Sequence, residues 1–530
     1  MNFPRLRCAS LLVAIAAVSC SGPGGEDAAQ GYAADANALG ISGPPDSVTP
    51  PNLILFLVDD LGWQDLSVPL FDQPTGFNKR YQTPNIARLA AEGVKFTQAY
   101  AASPVCTPTR TSILRGQHPA VTRITDWTLH VDRDFSRGMK ELSDPDWNKN
   151  GLAPDPMLLT NLLAQQGYRT IHIGKAHFGA IGTPGSDPLQ LGFERNVAGH
   201  AAGGPGSYFG EKNYGNDRDG PWGIPDLESY HGSETFLTEA LTLEAEKELE
   251  AAAADGRPFF LNMAHYAVHA PIQKDPRYYQ SYRSAGLDDA EARYAGLISG
   301  VDDSLGRIWK KLEELELADN TLIVFFSDNG GLSAHGRGTT PNGTGGDTHN
   351  APLRSGKGSG YEGGTRVPMI VAWAGDQPGW LALEANSVNH SPVLSTDMYV
   401  SLLQLAGTPQ SAIVKAKADG QSFLPLLRGA NQQPQQRVLA WHYPHKWGPN
   451  GDRYEPFTAV REGDWKIIYW YEAAEWELYN LQDDVGEINN LVEERPEVAA
   501  RLKEALRAWM LEVDAQRPVS KETGFMLKMP

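Results

Sequence analysis

The stretch NLILFLVDD, beginning at Asn52, limits the folds open to this chain more than any other. Successive side chains of a strand point to opposite faces. An unbroken apolar run therefore cannot serve a strand with one wet face, and it fits a strand covered on both sides, as in a parallel sheet between helices. The run ends in Asp59 and Asp60, so two carboxylates are expected at the strand's carboxyl end.

The rest of the chain repeats that alternation. TPNIARLAAEG reads as a helix with Thr83 as N-cap, Pro84 in the first turn and Gly93 closing it. MLLTNLLAQQG is a helix leading into the strand YRTIHIG. A helix over about residues 233–254 precedes the strand PFFLNMAH, and another over about 288–316 precedes TLIVFFSD; VPMIVAWAG is one more strand. The expected fold class is α/β, a large mainly parallel sheet sandwiched by helices. Residues 427–437 turn rich in Gln, Pro and Gly, a boundary between a catalytic domain at 51–430 and a smaller α+β unit at 431–530. In the latter, VLAWHYPH, FTAVREGDWKIIYWY and WELYNL read as an antiparallel sheet, followed by the amphipathic helix PEVAARLKEALRAWMLEV. Two long loops, about 196–226 and 330–356, are of a length that compact domains keep for function or leave disordered.

The N-terminus, MNFPRLRCASLLVAIAAVSC, has basic Arg5 and Arg7, a short apolar segment and small residues before Cys20. It reads as an export signal over residues 1–20, too short to span a bilayer. Cleavage before Cys20 suits either lipidation of that cysteine or ordinary signal peptidase. The low-complexity tether over 21–50 favours the lipid-anchored form. The expected location is the periplasm or cell surface, with membrane attachment only through that lipid. Of three cysteines, Cys8 and Cys20 lie in the signal, so the folded body keeps Cys106 alone and no internal disulfide can form. Cys106 is then either an inert buried residue or a chemical one. Net charge is −18 with no long basic run, which argues against nucleic acid as a partner.

Polar residues collect where open α/β sheets form their binding crevice. Asp59 and Asp60 end one strand; Lys175 and His177 follow another in GKAH; His269 lies beyond a third in VHAP; Asp328 and Asn329 end a fourth in SDNGG. Lys357 precedes a fifth in GKGSGYEGGTRVP. Three carboxylates and an amide form an oxygen-rich site for a hard cation such as Ca²⁺ or Mg²⁺. Each fragment alone says little, since an Asp pair after a strand commonly caps a turn; the joint pattern is far more specific.

These blocks carry a family resemblance. CTPTR at Cys106–Arg110 resembles the Cys-x-Pro-x-Arg segment of the formylglycine-dependent sulfatases, in the alkaline-phosphatase-like superfamily. VDDLGWQDL, GKAHFG, VHAP, SDNGG and GKGSGYEGGTRVP follow in that family's order, and the similarity runs over about residues 51–515. Thr109 stands where serine is commoner, and Arg115 where threonine is usual. The resemblance implies that a maturation enzyme converts Cys106 to formylglycine (3-oxoalanine), present as its hydrate. A serine would leave a stable sulfate ester, whereas a gem-diol attacks sulfur with one hydroxyl and expels sulfate by losing the other proton.

The resemblance further implies residue roles. Asp59, Asp60, Asp328, Asn329 and the modified Cys106 hold a metal, Ca²⁺ ahead of Mg²⁺. Arg110 braces the formylglycine, Lys175 and Lys357 bind sulfate oxygens, His269 protonates the leaving alcohol and His177 deprotonates the hydrate. With the metal bound, such a pocket carries a net charge of about +2, an anion site inside an acidic protein. The expected substrate is a sulfated carbohydrate. For sugar contacts the sequence offers His200, Tyr208 and Lys212 in the first long loop, His335 and Arg337 in the second, and Trp441, His442 and Trp447 near HYPHK. Two rival readings remain at this stage: a phosphoester or phosphonate-ester hydrolase of the same superfamily, and a non-catalytic sulfoglycan-binding lipoprotein. A Cys106→Ser variant whose serine stays unconverted is expected to trap sulfate covalently and stop. Sustained turnover by that variant would contradict the hydrate chemistry.

Overall fold

The computed structural model describes residues 44, 49–136, 138–333, 337, 348–428, 437–448 and 452–530. The signal segment 1–20, all of 21–50 but residues 44, 49 and 50, and the boundary expected at 430/431 lie outside the described residues. In chain order the strands are β1 (Asn52–Val58), β2 (Val94–Tyr100), β3 (Leu142–Ser143), β4 (Arg169–Gly174), β5 (Arg195–Val197), β6 (Phe259–Ala264), β7 (Thr321–Ser327) and β8 (Arg366–Trp373). There follow β9 (Ser387–Asn389), β10 (Val393–Leu394), β11 (Val438–Tyr443), β12 (Phe457–Glu462), β13 (Trp465–Trp470), β14 (Glu475–Asn480) and β15 (Val519–Ser520).

The large sheet runs β10–β2–β8–β7–β1–β6–β4–β5, with β9 also paired to β2. From β7 through β5 every pairing is parallel. The strand VPMIVAWAG is the exception: β8 lies antiparallel to both β7 and β2. Every residue of β1, β6, β7 and β8 is buried, as the unbroken apolar runs require. Alternation along β1 splits its side chains between two layers. Ile54, Phe56 and Val58 pack with the helices Leu237–Asp255 and Asp289–Glu314. Leu53, Leu55 and Leu57 pack with Cys106–Arg115, Leu159–Gln165 and Asp397–Leu405. Each such side chain, fully buried, contributes about 1.5–3 kcal/mol.

Helix ends follow local chemistry with one substitution of partner. Asp288 caps the Asp289–Glu314 helix by accepting the Glu291 N–H at 3.0 Å. Thr83 precedes the Pro84–Glu92 helix but does not cap it with its side chain. Its hydroxyl accepts the Ser67 N–H, and the Asp302 carboxylate takes the N–H groups of Asn85 and Ile86 at 3.2 and 2.8 Å.

The C-terminal strands form the antiparallel meander β11–β12–β13–β14. One face packs on the Pro496–Glu512 helix. The other, with Trp441, Tyr443, Phe457 and Trp470, packs on Tyr100, Ala102, Val105 and Tyr361, immediately before Cys106. At this seam the buried Lys466 Nζ lies 2.9 Å from Glu362 Oε1 and 2.9 Å from Glu487 Oε1. Glu487 also accepts the Glu362 N–H at 2.6 Å. Burial pushes the Glu487 carboxyl up to about 7, against the pull of Lys466. Removing the ammonium leaves Glu487 without its cation and Glu362 with Arg366 alone among the described residues, so Lys466→Met is expected to cost about 3–5 kcal/mol in urea unfolding. A loss below about 1 kcal/mol would show that the seam does not need the charge.

Candidate active site

The parallel register of β1 and β7 pairs Val58 with Ser327, so the next residues of both strands emerge together at the carboxyl edge. Asp59, Asp60, Asp328 and Asn329 are all fully buried there. The Asp60 N–H donates to Asp328 Oδ1 at 3.2 Å, and Asp60 takes a left-handed φ of 59° to turn into the cluster. Cys106 opens the Cys106–Arg115 helix after β2. Lys175 follows β4 directly, through Gly174 at φ 96°, where a Cβ would lie 2.0 Å from the Ala264 carbonyl oxygen. Ligand atoms of Asp59, Cys106 and Asp328 lie within 4.8 Å of one another.

Three cations hold the three carboxylates. Lys175 Nζ lies 2.6 Å from Asp59 Oδ2, Lys357 Nζ 2.6 Å from Asp60 Oδ1, and Arg110 Nε 2.7 Å from Asp328 Oδ2. Arg110 Nη1 donates to the Lys175 carbonyl at 2.6 Å, tying two strand ends together. Burial disfavours ionisation of Asp60, but Lys357, His269 and Lys175 outweigh it and hold the carboxyl below the usual range. Burial likewise opposes ionisation of Asp328, and Arg110 and Lys175 prevail. Asp59 goes the other way: burial and the Asp328 charge push its carboxyl well up despite Lys175. Three carboxylates against three cations leave the cluster formally neutral, and the raised Asp59 carboxyl marks how closely its charges are crowded.

The donor set fits a hard cation. Asp59 Oδ1, Asp60 Oδ2 and Asn329 Oδ1 are buried oxygens with no hydrogen-bond partner among the described residues, each on a side chain whose other polar atom is engaged. Such atoms demand a partner, and carboxylate and amide oxygens are what Ca²⁺ and Mg²⁺ take. Cys106 Sγ is 3.6 Å from Lys357 Nζ, yet burial pushes its thiol up against the charges of Lys175 and Lys357. The sulfur is therefore not a poised thiolate nucleophile. Thr109 does what a serine would: its hydroxyl exchanges hydrogen bonds with the backbone of Ser103. Arg115 turns away from the site toward Asp155 and the Ala416 carbonyl.

Two histidines face the cluster. His177 donates from Nε2 to the Thr128 carbonyl at 2.9 Å, which leaves Nδ1 deprotonated, buried and without a partner among the described residues. Burial, then Lys175 and Arg110, hold its pKa well below the usual value, so the ring is a neutral base. His269 donates from Nδ1 to the Ala270 carbonyl at 2.7 Å, turning Nε2 toward Asp60 Oδ2 at 3.8 Å. Burial and Lys357 lower its pKa to about 3. The first long loop crosses over both rings. A Cβ on Gly203 would lie 2.4 Å from His177 Cε1, and one on Gly204 2.9 Å from His269 Nδ1. Only glycine fits this approach, and neither position is marked by a recognisable motif.

The sugar-contact candidates divide. Trp447 reaches the site, with Lys357 Nζ 5.4 Å from its ring centroid. His200 accepts the His177 N–H through its carbonyl and lines a cavity of about 440 Å³ with Arg218 and Asn216. Lys212 is exposed on the same loop. Tyr208 is wholly buried, its hydroxyl 2.9 Å from the His269 carbonyl oxygen; it supports His269 instead of touching a sugar. Trp441 is also wholly buried, its indole N–H on the Ala101 carbonyl, so it cannot stack on a ligand. His442 is spent on Thr458 and the Gln516 carbonyl. Arg337 does not line the pocket mouth; its buried guanidinium pairs with Glu291 and reaches Tyr81. His335 lies outside the described residues.

The family model described as "Sulfatase" matches residues 51–408, a span containing every residue of this cluster. The chain belongs to the formylglycine-dependent sulfatase family. It is a sulfuric ester hydrolase. A model for the C-terminal region of N-sulphoglucosamine sulphohydrolase matches residues 356–514. A sulfatase of Formosa agariphila is 30% identical over 89% of this chain and 90% of its own length. Human N-acetylgalactosamine-6-sulfatase is 31% identical over 83% of this chain and 75% of its own. Among solved structures, Ps i-CgsB superposes with a TM-score of 0.69 at 28% identity, covering 88% of this sulfatase and 94% of that chain. Asp59→Asn is expected to weaken Ca²⁺ binding at least about tenfold in calorimetric titration, because carboxylate charge sets affinity in oxygen sites. Unchanged affinity would remove Asp59 from the ligand set.

Proposed function

We propose that this sulfatase removes sulfate from carbohydrates outside the cytoplasm, using formylglycine at position 106 and bound Ca²⁺. The three unpartnered oxygens of Asp59, Asp60 and Asn329, gathered beside Cys106 and two lysines, are the observation that carries the mechanism. When in place, the formylglycine hydrate supplies the nucleophilic oxygen and Ca²⁺ supplies positive charge for the sulfuryl oxygens. Lys175 and Lys357 each engage one aspartate oxygen and stand ready to take sulfate oxygens in a dry pocket. Arg110, anchored by Asp328 and the Lys175 carbonyl, braces the residue at position 106.

His177 Nδ1 is the base that takes the hydrate proton on sulfate release. His269 Nε2 is the group that hands a proton to the leaving alcohol oxygen; the arriving anionic ester raises its affinity for that proton. The carbohydrate assignment draws on relatives: one solved structure of Ps i-CgsB, 26% identical with a TM-score of 0.68, is a complex with k-i-k-neocarrahexaose. The export-type N-terminus and following tether point to the periplasm or cell surface, lipid-anchored if Cys20 is acylated. Among the described residues no helix is long and apolar enough to cross a membrane.

The two histidines can be separated by leaving group. A sugar hydroxyl leaves poorly without a proton, so His269→Ala is expected to lose about 10²–10⁴-fold on a sulfated saccharide and far less on an activated aryl sulfate. His177→Ala is expected to give a burst of released alcohol and then slow turnover on both. Equal losses on both substrates for His269→Ala, with no burst for His177→Ala, would reverse the assignment.

A further inference from the structure

The segment Thr125–Thr128 joins the catalytic cluster to the C-terminal meander, and three of its four residues are pinned. The Thr125 hydroxyl meets His445 Nε2 at 2.8 Å, and Asp126 Oδ1 accepts the Tyr443 hydroxyl at 2.8 Å. The Thr128 N–H donates to the Thr107 hydroxyl at 3.3 Å, while its carbonyl holds His177. Tyr443 belongs to β11, His445 follows it, and Thr107 sits beside Cys106 on the helix that opens the site. Trp127 is the remaining residue. It is only half-buried, and its indole N–H has no partner among the described residues.

The ring of Trp127 has defined neighbours. Its centroid is 6.5 Å from that of His177 and 6.4 Å from that of Trp447, which it meets edge to face. Trp447 in turn lies over Lys357 Nζ, itself 3.6 Å from Cys106 Sγ. Phe135 backs Trp127 at 4.5 Å, and Arg133 lies 5.0 Å from the Phe135 centroid. Two tryptophans thus stand at an angle, one beside His177 and the other over the lysine that faces the sulfur, with a cation behind Phe135. A partly exposed indole set between these rings keeps surface that the core does not cover. An apolar face with one N–H at its edge matches a pyranose, whose C–H groups cover one side and whose hydroxyls project from the rim.

We propose that Trp127 and Trp447 form a sugar-binding wall, with Trp127 the platform on which the pyranose bearing the sulfate, or its neighbour in the chain, stacks. This rests on the carbohydrate reading above and names the residue that enforces it. Trp127 is then a specificity-determining residue that touches substrate without taking part in bond making. Because Thr128 fixes His177 through its backbone, loss of the Trp127 side chain should leave the catalytic base in place.

The test uses the full chain with two probes, a sulfated carrageenan oligosaccharide and N-acetylgalactosamine 6-sulfate, and inorganic sulfate as a competitive inhibitor that reads the anion pocket alone. For whichever saccharide the parent enzyme turns over, Trp127→Ala is expected to raise KM at least about tenfold with kcat within about threefold, the cost of one lost stacked ring. Trp127→Phe should recover most of that loss, and the inhibition constant for sulfate should not move. Saccharide KM unchanged in Trp127→Ala would overturn the platform while leaving the carbohydrate reading intact, as would a matching loss of sulfate affinity. A parent enzyme that cleaves an aryl sulfate but neither binds nor cleaves either saccharide would overturn both.

Discussion

Three buried aspartates meet at the carboxyl ends of β1 and β7, and their mutual repulsion is what the surrounding structure has to answer. Arg110 comes from the helix after β2, Lys175 from the end of β4, and Lys357 from the long connection between β7 and β8. None is near an aspartate in sequence; each contact of 2.6 or 2.7 Å closes a long stretch of chain. Removing one partner from such a buried pair costs about 3–5 kcal/mol, so the cations are structural before they are catalytic. The elevated Asp59 carboxyl and the three unpartnered oxygens mark what these cations do not satisfy.

The C-terminal meander completes the site from the side. Its inner face packs on Val105 and Tyr361, its Lys466 is locked between Glu362 and Glu487, and its Trp447 reaches Lys357. The first long loop closes the opposite side, where Gly203 and Gly204 lie against the two histidines. An α/β sheet thereby supplies the charged floor, and the connection after β11 and the first long loop supply the walls.

The floor was legible in the sequence because strands buried on both faces are mostly apolar, Asn262 within β6 and His172 within β4 excepted, so clusters of polar residues stand out at their ends. Asp59, Asp60, Lys175, Asp328 and Asn329 all announced themselves this way. The walls were not. Trp441 and Trp447 look alike as letters, but the meander is covered on both faces, so a tryptophan within β11 is core and one beyond its end is not. Arg337 gave no sign of Glu291, 46 positions away, which draws it into a buried ion pair. Trp127 belongs to a stretch with neither helical nor strand period, and Gly203 and Gly204 matter only through what crosses beneath them. Contacts between irregular segments leave no periodic trace in a single sequence.

The state of residue 106 bears most directly on the chemistry. Its thiol is buried, pushed toward protonation and set against Lys357, an arrangement that makes a poor nucleophile of sulfur. Peptide mass spectrometry of catalytically active protein, with aldehyde-selective labelling, reads that state. The peptide spanning Cys106 is expected to carry an aldehyde in proportion to activity. Full activity on a sulfated saccharide from protein in which every copy retains the Cys106 thiol would contradict that expectation.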